Sequence, residues 1–181
     1  MCVIIKNDKL FNYDKRCIVV LQIGDKVVYP MHGAGVVEAI EEKEILGITQ
    51  KYYILKLPVC DVKIMIPLSN ADDIGIRHII DEDESKKVLA ALSQSNQDGD
   101  NTNWNRRYRI NMDKIKSGDI YEVADVVRSL MIREKQKGLS AGERKMLNSA
   151  KQILVSELAL ANSTGTDEIE RLIEERIWQG V

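Results

Sequence analysis

Residues Asn103-Trp104-Asn105-Arg106-Arg107-Tyr108-Arg109 set one of the two tryptophans of the chain beside three arginines and a tyrosine. Arginine neutralises phosphate and bonds to it in pairs, and an exposed indole stacks on a base or wedges into a groove at a distorted step. A plainer reading stands beside this one: a core tryptophan on a helix whose arginines are merely solvated. Other residues with chemical potential carry less. His32 and His78 are the only histidines and lie far apart in sequence, so no general base is positioned locally. Gly33-Ala34-Gly35 lacks the Lys-Ser/Thr that follows in a phosphate loop, and reads as a turn between strands. Asp81-Glu82-Asp83-Glu84 lacks the spaced ligands and central glycine of a calcium loop, and fits a solvated helix N-terminus. Cys2, Cys17 and Cys60 form no Cys-x-x-Cys pair and have no activating neighbour, which points to a reducing cytoplasm without structural disulfides. The expectation is a chain with no catalytic residues, no metal, no cofactor and no small-molecule substrate.

A net charge of -2 over 181 residues argues against a nucleic-acid binder only as an average. Residues 104–153 carry 12 basic and 6 acidic side chains, whereas 71–103 carry 3 and 8 and 154–181 carry 2 and 6. The positive block begins at the tryptophan, and a local field of that sign attracts phosphate whatever the total. No apolar run approaches the roughly 18 residues of a membrane span, so no membrane partner is expected.

The elements that must position this heptad follow from periodicity. Lys26 to Tyr29, Val36 to Ile40, Lys51 to Leu57 and Asp61 to Pro67 are rich in β-branched and aromatic residues, and Lys43 to Gln50 reads as a hairpin connection through Gly47. Several short strands with close turns predict a small antiparallel barrel, an architecture that more often binds than catalyses. After Pro67 the period changes. Asp83 to Ser93 has helical character, Ser95 to Asn101 reads as a polar linker, and Trp104 to Ser117 is a helix capped by Asn103 and ended by Gly118. A second helix runs from about Asp119 to Lys137. A third opens with the capping box Ser140 and Glu143 and ends near Asn162, and a last begins at Thr166-Asp167-Glu168. Their leucine-rich stripes are short and separated by glycine turns, which favours a bundle core over a zipper. The predicted class is α+β in two domains, a small antiparallel β-barrel followed by a helical bundle.

Three ordered blocks resemble the CarD/CdnL-type bacterial transcription regulators. These are Ile23 to Gly33, Thr102 to Tyr108, and Gly138 to Glu143 continued by Ala150 to Ala159. The resemblance implies an unassigned extension over 1–20 and a Tudor-like RNA polymerase-interaction domain over 21–70. A connecting helix and linker follow over 71–101, then a DNA-binding helical domain over 102–181. It implies docking on the β subunit of RNA polymerase through an exposed strand edge, with Lys43 and Met65 on the facing surface. Met65 departs from relatives that often carry a basic residue there. Tyr52 and Ile54 are either part of that surface or barrel core.

The resemblance also implies that Trp104 inserts at the minor groove at the upstream edge of the transcription bubble. Arg106, Arg107 and Arg109 would grip the backbone around it, and Lys145 completes the DNA-facing set. Adjacent helix positions point in different directions, so either Arg106 or Arg107 packs on the bundle instead. The implied activity is noncatalytic stabilisation of promoter open complexes in the bacterial cytoplasm, in association with the nucleoid through polymerase. A protein–protein adaptor without a DNA role is the alternative.

Overall fold

The computed structural model describes residues 20–57, 62–94 and 103–179. The cysteines, the extension apart from Val20, and the linker from Ser95 to Asn101 lie outside the described residues.

The N-terminal part is a five-stranded sheet of order β4-β3-β2-β1-β5. Its strands are β1 (Lys26–Tyr29), β2 (Gly33–Ile45), β3 (Ile48–Leu57), β4 (Val62–Pro67) and β5 (Arg77–His78), and every neighbouring pair is antiparallel. One face of β3 turns Tyr53, Leu55 and Leu57 into an apolar core with Val27, Val37 and Ile66. The alternation follows from the period of two along a strand. A short helix α1 (Ala71–Ile74) then leads into β5.

Two turns differ from the sequence reading. Gly33-Ala34-Gly35 is not a turn but the first three residues of β2, and the reversal falls on Pro30, Met31 and His32. The glycines serve close approach instead. A Cβ on Gly33 would lie 2.5 Å from Ser156 Oγ, and one on Gly35 would lie 2.5 Å from the carbonyl oxygen of Lys56. Lys43 to Gln50 is likewise mostly strand, because pairing continues from Lys43↔Gln50 out to Ile45↔Ile48. Only Leu46 and Gly47 remain to turn, with φ of 55° and 79°. Two successive positive φ values suit the right-handed twist of a two-residue hairpin.

The C-terminal part consists of α2 (Glu82–Ala91), α3 (Trp104–Ser117), α4 (Ile120–Lys137), α5 (Ala141–Asn162) and α6 (Thr166–Gln179). Its boundaries follow the caps. Asp81 accepts from Glu84 N, Asn103 from Asn105 N and Asp119 from Tyr121 N, and both arms of the Ser140–Glu143 capping box are made. Gly118 closes α3 in the left-handed region at φ 74°, which costs glycine nothing. The expected stripes are buried together: Val123, Val127 and Leu130 of α4, Leu147, Leu154 and Leu158 of α5, and Ile169, Ile173 and Ile177 of α6. A β-rich part followed by a helical part, each with its own apolar core, is the predicted α+β class. No helix among the described residues is long and apolar enough to cross a membrane.

Candidate nucleic-acid and partner interfaces

Helix α3 is fastened to the bundle mainly by its C-terminal half, where Ile115 is buried and Met112 packs on the core. Its N-terminal half carries the heptad largely into solvent. Trp104 is 42% exposed and Tyr108 is 37% exposed; the two rings stack with centroids 5.4 Å apart and planes 29° apart. Positions i and i+4 are neighbours on a helix surface, so the tyrosine braces the indole from one turn below. The indole Nε1 donates to Ser140 Oγ at 3.1 Å. The first turn of α5 lies against the pair at Gly142, where even a Cβ would sit in ordinary contact, 3.6 Å from Trp104 Cζ2 and 3.9 Å from Tyr108 Cε2. The polar edge of the tryptophan is therefore occupied, and an apolar ring face is left open.

The three arginines divide. Arg106 and Arg109 are exposed and line a shallow groove with Asn103, Asn105, Ile110 and Asp113. Arg107 turns inward, its side chain 12% exposed, and pairs through Nη2 with Glu143 Oε1 at 3.2 Å. Of the two alternatives left open by the sequence, Arg107 is the one that packs on the bundle. Burial pushes the Glu143 carboxyl up, but bonds from the Ser140 amide and hydroxyl and from Arg107, with the charge of Arg133, hold it below the ordinary carboxylate range. The ionised carboxylate orients Ser140, and Ser140 holds Trp104. Lys145, exposed and three residues beyond Gly142, shares that side of α5.

On the sheet, register decides which side chains meet. Ile54 pairs with Met65, Glu41 with Tyr52 and Lys43 with Gln50, which puts Lys43, Tyr52, Ile54 and Met65 on one face. Tyr52 and Ile54 are buried, yet neither belongs to the apolar core on the opposite face. Lys43 Nζ lies 3.4 Å from Met65 Sδ and 3.0 Å from Glu41 Oε2. Strand β4 pairs with β3 and with no other strand among the described residues, so its outer edge is open. An open edge bearing a mixed apolar and charged face suits addition of a partner's strand.

Residues 21–80 match the family model of the CarD-like/TRCF RID domain, and residues 87–174 match that of the CarD C-terminal domain. The chain is 43% identical over 149 residues to "Putative transcription factor YdeB" of Bacillus subtilis (strain 168), across 82% of this chain and 97% of that protein. The chain belongs to the CarD family. The two CarD matches fall on the sheet and on the helices respectively, so each candidate surface lies within its own matched segment.

Sequence reasoning missed most of what mounts the tryptophan in this CarD-family chain. Ser140 and Glu143 were legible as a capping box, but nothing local tells that the same hydroxyl receives an indole 36 residues away. Tyr108 was visible as the i+4 partner of Trp104, and that spacing was the available signal for the stack.

Proposed function

We propose that this CarD-family chain is a noncatalytic transcription regulator. It binds the β subunit of bacterial RNA polymerase and stabilises promoter open complexes by contacting DNA at the upstream edge of the transcription bubble. The observation that carries this reading is the mounting of Trp104, whose N–H is held by Ser140 while an apolar ring face stays open beside Arg106 and Arg109. A core tryptophan would be buried, and a tryptophan reading bases by hydrogen bonding would keep its N–H free. A held indole with an open face is suited to stacking.

At the fork between duplex and melted strands base stacking is already broken, so an inserted indole costs less unstacking there than in intact duplex. Greater affinity for the melted state is enough to shift the opening equilibrium. Arg106, Arg109 and Lys145 supply phosphate contacts, and Arg107 supports the mount from inside. The sheet face of Lys43, Tyr52, Ile54 and Met65, with the edge of β4, supplies the polymerase contact. The division into 21–70 for docking, 71–101 for connection and 102–181 for DNA follows, as does work in the cytoplasm beside the nucleoid. The name of the Bacillus relative, as a transcription factor, supports the transcription part of this reading.

The deciding experiment is the lifetime of competitor-challenged open complexes with Trp104→Ala. Stacking of one base on an aromatic ring contributes about 1–3 kcal/mol, so the lifetime should fall roughly 5- to 150-fold while polymerase binding is kept. An unchanged lifetime removes Trp104 from the mechanism and leaves the chain as an adaptor.

A further inference from the structure

Arg77 and Glu157 join the sheet to the bundle where the chain crosses from one to the other. Arg77 stands on β5, the two-residue strand paired to β1 through Val28↔Arg77. Its Nη1 donates to Glu157 Oε1 at 2.5 Å and its Nη2 to Glu157 Oε2 at 2.8 Å. The same guanidinium reaches the carbonyl of Gly118 from Nε at 3.1 Å and from Nη2 at 2.9 Å. Glu157, on α5, has a side chain 1% exposed and also accepts from Ile80 N at 3.2 Å. One cation thus ties the sheet edge, the central helix and the residue that ends α3, the helix bearing Trp104.

Two further contacts fix the same seam. The amide of Ala34 in β2 donates to Ser156 Oγ at 2.8 Å, and Lys26 Nζ of β1 donates to the carbonyl of Leu160 at 2.8 Å. Residues Ser156, Glu157 and Leu160 form one side of α5, and the sheet grips all three.

Only the Glu157 end of this pair is buried, the Arg77 side chain being 34% exposed; desolvating the carboxylate offsets much of the attraction, so the pair is a poor source of net stability. What a forked, doubly bonded guanidinium does supply is a defined direction. We propose that the Arg77–Glu157 pair is a positioning device. It holds the sheet and helix α3 in one orientation, so that docking through the sheet delivers Trp104 to the DNA fork. The proposal rests on the functional reading above. When one surface is already docked, the second contact is intramolecular, and its effective concentration falls once the joint between them samples wrong orientations.

The test is the double variant Arg77→Met/Glu157→Leu in the full-length chain, with Cys2, Cys17 and Cys60 replaced by serine. Nitroxide labels at Lys51→Cys on β3 and Lys116→Cys on α3 report the sheet-to-helix distance by double electron–electron resonance. The expected result is a melting temperature lowered only modestly, since the Gly118 carbonyl and the Ile80 amide each lose a partner, with unchanged polymerase retention, a broadened distance distribution and an open-complex lifetime shortened roughly tenfold. A pair that only stabilised the fold would be replaced by the apolar residues without change in the last two readouts. A narrow distribution, or an unchanged lifetime beside a broadened one, overturns the proposal. Should the double variant fold poorly, Arg77→Lys keeps the charge but replaces the planar two-toothed grip on Glu157 with a single rotatable nitrogen, and the same two readouts decide. Failure of the functional reading is distinguishable, because then Trp104→Ala with the joint intact would leave the lifetime unchanged.

Discussion

The hydroxyl of Ser140 accepts the indole N–H of Trp104 at 3.1 Å, and the same oxygen accepts from Glu143 N at 3.3 Å to cap helix α5. One atom thus starts the longest helix and holds the aromatic ring offered to DNA. Ser140→Ala removes both bonds. The cap alone is worth about 1 kcal/mol, a fall of roughly 2–4 °C in melting temperature for a chain of this size. Open-complex lifetime should drop to a value between wild type and Trp104→Ala. Ser140→Thr, which keeps the hydroxyl, should restore both, and thermal melts beside lifetime assays check this.

The arginines should separate by salt dependence. Arg106→Ala and Arg109→Ala each remove an exposed cation, so each should weaken fork-DNA binding and reduce the slope of log affinity against log salt by about 0.9. Arg107→Ala should leave that slope intact and cost roughly 1–3 kcal/mol of stability, because Glu143 stays buried with a partner lost. Equal slopes for all three variants would contradict the division.

Acid should loosen the tryptophan mount. The carboxyl of Glu143 is held below its ordinary range in the folded protein, so its contribution to stability is fully present above the unfolded value of about 4.3. That contribution is lost as pH falls through the lower folded value. With Trp178→Phe, Trp104 is the only tryptophan, and its fluorescence should change in that acidic window. Glu143→Gln has no carboxylate to protonate and should lack the step.

On the sheet, Lys43→Glu should weaken polymerase binding about tenfold or more, since reversing a charge at an interface replaces attraction with repulsion. Met65→Ala should weaken it less, and neither should alter the melting temperature appreciably, because both side chains are substantially exposed. Ile54→Ala behaves differently. Its side chain is buried, so a loss of about 2–5 kcal/mol in stability should accompany any loss of binding. Pull-downs paired with melts separate the cases.

Helices α3, α4 and α5 were legible because their ends carry their own chemistry. Asn103, Asp119 and Ser140 cap them, and Gly118 and Gly138 stop two of them. Strand β1 was legible from Lys26-Val27-Val28-Tyr29 for a similar reason, Pro30 following it directly. What the sequence hid depends on partners distant along the chain. Gly33 and Gly35 look like turn residues until Ser156 and Lys56 come to lie where a Cβ would stand. The two-residue β5 is too short for any periodicity, and Arg77 meets Glu157 across 80 positions. Arg107 could not be told from Arg106 by type; only the placement of Glu143 beside α3 turns one inward and leaves the other out.

A methyl on Gly33 would collide with the Ser156 hydroxyl of α5, and the φ of 101° there adds strain to any replacement. An alanine there would push the Ser156 hydroxyl aside, breaking its bonds with the Ala34 amide and the Ile153 carbonyl, while the helix backbone itself stays at ordinary contact distance. The seam would then lose its latch without losing its hinge, and the two working ends of the molecule would stay joined but less firmly clasped.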